Sequence, residues 1–348
     1  MTTMKDVATL AGVSLVTVWR ALNEPDAVRA ETLARVAAAI KELHYVPDQL
    51  ASSLRSRRTG TIALLLPTIA NAFWTAIARG VEDEGEKRGY SVFLCNTDDD
   101  PTKEARYLDV LLRRRVEGIV IVPTAASAAA LQQARRRRMP IVQVHRKLDD
   151  VGADCIRADS RGGAAALTEQ LLALGHRRVA YLGGLPTISP TRDCLAGYEA
   201  AMARVGIAVE PALVHLGRAT PEVGHALTTA LLADDRPGAL CIGNSRLAVG
   251  ALHALDEAGV QVPDDLAVAT FYDIAALDAY SPALITAVQP AYDIGRLGAR
   301  RLLERIGGLG DALAWRGIPQ RGEFSAQSSA GVSVTTRQVA KCSALVWR

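Results

Sequence analysis

The sequence predicts an α/β protein in which two lobes of parallel sheet follow a small all-α module. The chain has 348 residues, enough for about two domains with a small addition. From Thr61 onward, short β-rich runs alternate with longer helical patterns, whereas the first sixty residues contain helical patterns only. Such alternation is typical of parallel sheets that are covered by helices on both faces.

The predicted strands are short, mostly apolar runs at 62–66, 91–95, 118–122, 141–145, 179–182, 239–242, 266–270 and 284–288. Helical patterns such as 73–87 and 162–174 separate most of them. A stretch of about 250 residues is long for one doubly wound sheet, so two lobes are expected. Aromatic residues make up only 5% of the chain, so Ala, Leu, Val and Ile must build the cores.

The composition excludes several classes of protein. Hydrophobic residues make up 49% and charged residues 22%, which excludes disorder over most of the length. The five cysteines are isolated, without a C-x-x-C pair, which disfavours a disulfide framework or a thiolate zinc site. No signal peptide and no run of about 18 apolar residues is found, so we expect a cytoplasmic protein without a membrane segment. The net charge of +3 is mild, so any DNA contact depends on a local motif.

The N-terminal residues have the spacing of a helix-turn-helix. Amphipathic stretches at 6–11 and 14–22 flank Gly12-Val13, and a third helical pattern covers 31–43. Ser14 is suited to cap the second helix, because its hydroxyl accepts a backbone N–H that the helix start leaves unpaired. In a helix-turn-helix, the second helix enters the major groove of DNA. A pair of amphipathic helices is also compatible with a simple bundle, so the spacing alone leaves DNA binding open.

Two longer motifs resemble the LacI/GalR family of bacterial repressors. Residues 5–18 read K-D-V-A-x-x-A-G-V-S-x-x-T-V, like the opening motif of that family, and residues 44–54 read H-Y-V-P-D-x-L-A-S-S-L, like its hinge helix. The resemblance extends over residues 2–306. It implies a DNA-binding headpiece at 1–46, a hinge helix and linker at 47–60, and a two-lobed effector-binding and dimerisation core at 61–309. That core is similar to periplasmic sugar-binding proteins, and an atypical tail at 310–348 follows it.

The resemblance also implies which residues contact DNA. Leu15 and Val16 occupy the positions that most influence operator choice, and both are apolar, so we expect contact with thymine methyl groups. Arg20 is expected to donate to a guanine edge or to a phosphate, and Leu54 to insert into the minor groove and bend the duplex. The complete predicted DNA-binding set is Lys5, Ser14, Leu15, Val16, Thr17, Arg20, Asn23, Thr32, Ala51 and Leu54.

Polar and aromatic residues follow several predicted strands, where ligands of α/β sheets bind. A carbohydrate needs an aromatic platform and planar hydrogen-bonding groups, which these residues provide. The predicted effector-binding set is Asn71, Phe73, Trp74, Arg146, Arg192, Asn244, Tyr272 and Asp273. Core packing of the aromatics and ordinary loop polarity are the alternative explanation for these residues.

Two positions depart from the family pattern. Cys194 stands where relatives often carry an arginine, and Tyr272 stands where they often carry a carboxylate. Both groups contact the effector in relatives, so we expect an altered ligand or a lost site. The tail at 310–348 is expected to lack the strand pattern of the relatives and to have a divergent or frame-shifted end.

The predicted function is a transcriptional regulator, a repressor that binds a palindromic operator as a homodimer and responds to a sugar or sugar acid. A solute-binding protein would share the core but would need export and no headpiece. An NAD-dependent enzyme would need a phosphate-binding turn, and no G-x-G-x-x-G is present. None of the six histidines has a neighbour at metal-ligand spacing, so neither a metal nor a cofactor is expected.

Overall fold

The computed structural model describes residues 2–45, 59–234, 236–272, 284–308 and 324–326. The contacts divide the chain into two compact units, Met1–Thr59 and Gly60–Arg348. Among the described residues, no helix is both long enough and apolar enough to cross a membrane.

The first unit is a three-helix module. Its helices are α1 (Met4–Ala11), α2 (Leu15–Asn23) and α3 (Ala30–Glu42). Apolar residues at helical spacing on each helix face one small core, which consists of Val7, Ala8, Ala11, Val18, Ala21, Val36, Ala39 and Tyr45. Ala8 is small at the point where the helices pack, and only 5% of its surface is exposed. The module is therefore built as its sequence pattern predicts.

The second unit begins with a five-stranded parallel sheet in the order β2-β1-β3-β4-β5. Five consecutive residues of β1, from Ile62 to Leu66, are fully buried, as expected for a strand covered on both faces. The strands are β1 (Thr61–Leu66), β2 (Ser91–Asn96), β3 (Gly118–Ile121), β4 (Ile141–Val144) and β5 (Asp154–Ile156). The helices between them are α4 (Ala72–Glu86), α5 (Pro101–Arg113) and α6 (Ala128–Arg136).

A second, six-stranded sheet has the order β11-β10-β9-β8-β6-β7, with only β10 and β11 antiparallel. Its strands are β6 (Val179–Gly183), β7 (Val214–Leu216), β8 (Ala239–Ile242), β9 (Ala267–Tyr272), β10 (Ile285–Val288) and β11 (Phe324–Ala326). Its helices are α7 (Ser160–Ala173), α8 (Ser189–Arg204), α9 (Pro221–Asp234) and α10 (Ser245–Glu257). The predicted two-lobed α/β fold is confirmed.

The last described helix, α11 (Ala291–Ile306), returns to the first lobe. Ile294, Leu297 and Leu302 join the same buried cluster as residues of β1 and α4. The first lobe therefore contains a helix that comes after the second lobe in the sequence. As a result, the chain crosses between the two lobes more than once.

Three strands do not appear in the sequence prediction. β5 and β7 are edge strands of three residues each, too short to show an apolar run. β11 lies within the tail and pairs antiparallel with β10. The expectation that residues 310–348 lack a strand is therefore wrong for Phe324–Ala326. Three backbone pairings at an existing sheet edge need no apolar periodicity of their own, so the sequence pattern does not reveal them.

Three helix pairs pack with glycine at the point of closest approach. A Cβ at Gly80 of α4 would lie 2.1 Å from the carbonyl oxygen of Tyr292 on α11. Gly197 of α8 is similarly close to the carbonyl of Arg161 on α7, at 2.1 Å. Gly250 of α10 would place a Cβ 1.8 Å from the carbonyl of Pro221 on α9. No side chain fits at these crossings, so the backbones of the paired helices are in direct contact.

A partly buried ion pair joins α11 to the edge of the first sheet. Asp154 of β5 accepts hydrogen bonds from Nε of Arg301 and Nε of Arg305, each at 2.8 Å. Only 4% of the Arg301 side chain is exposed. Burial raises the pKa of Asp154, but the hydrogen bonds from Arg305 and Arg301 outweigh that effect and hold the pKa below its usual value.

Replacing Asp154 with Asn is expected to lower the free energy of unfolding by about 2–3 kcal/mol, because it removes the carboxylate that two partly buried guanidinium groups share. The melting temperature should fall by about 5–10 °C. The contribution of Asp154 to stability is present above the ordinary pKa of 3.8 and is lost as the pH falls below that value.

Calorimetry at neutral pH measures the loss of stability in Asp154→Asn, with Asp109→Asn as control. Asp109 pairs with Arg113 on an exposed helix surface, so its loss should be below about 0.5 kcal/mol. Equal effects of the two variants would contradict the expected role of Asp154.

Candidate functional site

The turn between α1 and α2 is held by local hydrogen bonds. Gly12 adopts φ +64°, a left-handed conformation that glycine accepts without strain, and ends α1. The amide of Val13 donates to the carbonyl of Ala8 at 3.0 Å. Ser14 caps α2, since its Oγ accepts from the amide of Thr17 at 3.1 Å. The cap that the sequence predicts is confirmed, and it fixes the direction in which α2 leaves the turn.

One side of α2 is exposed and carries the predicted base-contacting residues. Leu15 and Val16 expose 48% and 58% of their surfaces, and Arg20 is exposed beside them. Val18 and Ala21 face the core from the other side of the helix. Large apolar side chains on an exposed helix surface contribute nothing to the core, so this surface is available to a partner.

The remaining predicted DNA-binding residues lie around this surface or outside the described residues. Lys5 on α1 and Asn23 at the end of α2 are exposed, whereas Thr17 on α2 and Thr32 on α3 are half-buried. The Asn23 amide donates to the carbonyl of Trp19 at 2.8 Å. Ala51 and Leu54 lie outside the described residues, so their predicted roles rest on the sequence alone.

In the second unit, the carboxyl ends of both parallel sheets line one cleft of about 420 Å³. Its walls include residues that follow β1, β2 and β4 of the first lobe and residues that follow β6 and β8 of the second. Ligands of open α/β sheets bind at such carboxyl ends, in pockets of about 300–1,000 Å³. The predicted location of the effector site therefore coincides with a cavity of suitable size.

Three rings form an aromatic wall in this cleft. Phe73 and Trp74, in the first turn of α4, are edge to face at 4.9 Å between ring centroids. The imidazole of His145 lies 4.8 Å from Phe73 and 5.1 Å from Trp74. Both aromatic residues are more than nine-tenths buried, yet both line the cleft. Core packing and ligand contact are therefore compatible roles for the same rings.

His145 has a strained backbone at the end of β4. Its φ is +63°, uncommon for a residue with a side chain, and the amide of Arg146 donates across it to the carbonyl of Val144 at 2.6 Å. The His145 amide donates to the carbonyl of Ile156 on β5, which anchors the turn. Strain of this kind persists where the surrounding structure enforces it, commonly at ligand sites. Here it directs the side chain of Arg146 into the cleft.

The charges in the cleft are largely balanced in pairs. Arg146 makes a two-pronged ion pair with Asp99, with Nη2 to Oδ2 at 3.1 Å, and its guanidinium lies 5.8 Å from the Trp74 ring. Asp98 pairs with Lys103. Arg246 also lines the cleft, and among the described residues it has no ion-pair partner. The cleft is therefore polar without a large excess of either charge.

Amide side chains from both lobes have a fixed orientation. Oδ1 of Asn71 accepts from the amide of Phe73 at 2.8 Å, and Oδ1 of Asn244 accepts from the amide of Arg246 at 3.0 Å. Since these oxygens cap helices, the NH₂ groups are the parts that can donate to a ligand. Gln289 adds an acceptor, because its Oε1 has no hydrogen-bond partner among the described residues.

Cys194 adds no charge to the second-lobe wall of the cleft. Its side chain lines the cleft but is only 2% exposed, and burial raises the pKa of the thiol far above its usual value. The hydroxyl of Tyr181 lies close by, below Gly243, without a hydrogen-bond partner in the described part of the chain. This wall offers little to a charged ligand, and the expectation of an altered site stays a prediction.

The structure brings together five of the eight predicted effector-binding residues: Asn71, Phe73, Trp74, Arg146 and Asn244. Arg192 is exposed, does not line the cleft, and donates to the carbonyl of Pro186 at 3.1 Å. Tyr272 ends β9, and Asp273 lies outside the described residues. The sequence did not single out Asp98, Asp99, Arg246 or Gln289, because only the folded sheets place their loops at one edge.

Burial, together with the positive charges of Arg146 and Arg157, lowers the pKa of His145 to about 3. In the unfolded chain the imidazole of His145 therefore takes up a proton as the pH falls through 6.5, whereas in the folded chain it stays neutral until the pH approaches 3. The contribution of His145 to stability is complete above pH 6.5 and decreases below it. Between pH 7 and pH 5 the loss should be about 1–2 kcal/mol. Urea unfolding at both pH values checks this, and His145→Gln should reduce the difference by that amount; an unchanged difference would contradict it.

Comparisons with known proteins cover both units. A model described as bacterial regulatory proteins, lacI family, matches residues 3–48. A second, described as periplasmic binding proteins and sugar binding domain of LacI family, matches residues 59–323. The ribose operon repressor of Escherichia coli K12 is 37% identical over 308 residues, 88% of this chain and 93% of the relative.

Solved structures agree with these matches. The lac repressor dimer bound to operator and the anti-inducer ONPF has a TM-score of 0.80 at 28% identity, covering 89% of this chain and 94% of that one. The transcriptional regulator CelR in complex with cellobiose has a TM-score of 0.66 at 29% identity, with the same coverage. These relatives are transcriptional regulators and not enzymes, as the sequence predicts. The chain belongs to the LacI family of bacterial regulatory proteins.

Proposed function

We propose that this regulator is a cytoplasmic repressor that binds a palindromic operator as a homodimer and responds to a small sugar or sugar acid. The exposed side of α2 reads base edges in the major groove, and the cleft between the two lobes of the second unit holds the effector. The observation that carries the proposal is that one chain presents both a helix surface that is exposed among the described residues and a polar cleft with an aromatic wall.

The charge of the first sixty residues favours binding by two copies. Residues 1–58 contain eight Lys and Arg against six Asp and Glu, an excess of only two positive charges. One headpiece therefore attracts DNA weakly. Two headpieces on a two-fold site make the second contact effectively intramolecular, which restores affinity without further charge. The operator-bound lac repressor dimer, 28% identical to this chain, supports the same arrangement.

The chemistry of the cleft favours a carbohydrate. The rings of Phe73 and Trp74 suit the C–H faces of a sugar, and the amides of Asn71 and Asn244 suit its hydroxyls. Balanced ion pairs disfavour a highly charged ligand, because it would bring uncompensated charge into a partly desolvated site. Arg246 is the group that would favour a sugar acid over a neutral sugar. The CelR–cellobiose complex and the ribose operon repressor support this ligand class.

The effector acts in this proposal by shifting a population. A ligand that binds one arrangement of the two lobes more tightly than another stabilises it by the difference in affinity. The segment at 47–60, which the sequence predicts to be a hinge helix and linker, connects the core to the headpiece, and a helix of that length would not be stable alone in water. Lobe movement that changes the separation of two such segments in a dimer would favour or disfavour their folding on DNA.

Replacing Leu15 with Ala should weaken operator binding about tenfold or more, because it removes an apolar contact with the major groove. Leu10→Ala is the matched control. Leu10 exposes 47% of its surface, nearly the same as Leu15, but lies on α1. Fluorescence anisotropy with an operator duplex recovered by genomic selection, and with a random duplex, measures both. Equal losses for Leu10→Ala and Leu15→Ala, or no preference of the wild-type chain for any duplex, would contradict a reading role for α2.

Arg146→Gln should weaken effector binding about 10–100-fold, because a charge-assisted hydrogen bond contributes about 1.5–3 kcal/mol. Arg192→Gln is the matched control and should change affinity less than about twofold, since Arg192 does not line the cleft. Calorimetric titration with a panel of pentoses, hexoses and their acids measures the affinities. In the same titration, Arg246→Gln should weaken the binding of the sugar acids and leave the binding of the neutral sugars unchanged. A stronger effect of Arg192→Gln than of Arg146→Gln would reverse the assignment.

A further inference from the structure

Three side chains on adjacent helices of the second lobe form a cluster outside the cleft. His225 lies on α9, and His253 and Glu257 lie one turn apart on α10. Their nitrogen and oxygen atoms that could bind a metal ion all lie within 4.8 Å of one another. His253 and Glu257 are four residues apart, a possible ligand spacing that the expectation of no metal site overlooked, whereas His225 comes from a different helix and only the fold brings it close.

The distances within the cluster are close to those of a metal site. Nε2 of His225 lies 2.8 Å from Oε2 of Glu257, and Nε2 of His253 lies 3.4 Å from Oε1. The two imidazole rings are 5.5 Å apart between centroids. Two ligands of a tetrahedral zinc ion, each about 2.0–2.1 Å from the metal, lie about 3.4 Å apart. Small side-chain rotations therefore suffice to bring all three groups to one ion.

The backbone beneath the cluster is held rigidly. Gly250 and Gly224 let α10 and α9 touch through their backbones, since a Cβ at Gly250 would lie 1.8 Å from Pro221 O and one at Gly224 2.2 Å from Leu247 O. His253 follows Gly250 by less than one turn, and His225 follows Gly224 directly. The same contacts that bring the helices together thus fix the separation of the two backbone positions from which the imidazoles extend.

The donor set determines which ions fit. Two imidazole nitrogens and one carboxylate suit zinc and similar divalent transition metals, whereas magnesium and calcium prefer oxygen ligands alone. All three side chains are at least one-third exposed, at 33%, 56% and 55%, so an ion can reach them from solvent. A surface cavity lined by both histidines adjoins the cluster and leaves room for a fourth ligand.

We propose that His225, His253 and Glu257 form a binding site for a divalent transition metal ion of the zinc type, with three protein ligands and one open position. The ion joins α9 to α10 across their crossing. It therefore stabilises the second lobe and is separate from the effector cleft, with which the cluster shares no residue.

The test uses the full chain without an affinity tag, stripped of metal with a chelator and dialysed. Titration with zinc sulfate against a chromophoric zinc indicator should show one ion per chain with micromolar or tighter affinity. His225→Gln, His253→Gln and Glu257→Gln should each weaken it about tenfold or more. His44→Gln and His176→Gln, which change histidines on other elements, should leave it unchanged.

Two further measurements keep the proposal independent of any single variant. Cobalt(II) should give the visible absorption bands of a tetrahedral site in the wild-type chain and not in His253→Gln. Saturating zinc should raise the melting temperature by about 5 °C in the wild-type chain only. The proposal is overturned if no zinc binds at about 100 µM, or if the three cluster variants bind zinc as tightly as the wild-type chain.

Discussion

The architecture of the second unit depends on direct backbone contact between paired helices. At Gly80 and Gly295, helices α4 and α11 approach so closely that a single added carbon would lie 2.0–2.1 Å from a carbonyl oxygen of the partner. This contact holds the last described helix on the first lobe, after the chain has already built the second. Because the chain leaves the first lobe and returns to it, the carboxyl ends of both sheets are brought to one cleft.

The same kind of contact occurs between α7 and α8 and between α9 and α10. Close packing leaves little freedom for one helix to slide along another, because backbone atoms cannot change rotamer as side chains do. A helix pair of this kind moves as one body. Motion in the second unit is therefore expected between the lobes, where the cleft lies, and a ligand that contacts both lobes can select among their arrangements.

The sequence predicts best what is encoded locally. Continuous apolar runs identify the long buried strands, and Gly12 with Ser14 identifies the turn between α1 and α2, because each effect acts within a few residues. It predicts poorly what depends on distant partners. β5, β7 and β11 gain their hydrogen bonds from a neighbouring strand, Asp99 becomes a partner of Arg146 only across the sheet edge, and His225 meets His253 only where two helices cross.

The difference between Arg146 and Arg192 illustrates the same limit for function. Both arginines resemble effector-contacting residues in the sequence, yet only Arg146 is turned into the cleft, by a strained backbone at His145 and an ion pair with Asp99. Arg192, on the first turns of α8, instead satisfies a carbonyl of the loop that precedes it. Cys194, on the same helix, is buried and neutral, so it adds no charge to this wall, and the Arg146–Asp99 ion pair that lines the cleft belongs to the first lobe. The polar groups of the cleft are therefore distributed asymmetrically: the first lobe provides the Arg146–Asp99 ion pair, and the second lobe provides the Asn244 amide and the exposed Arg246.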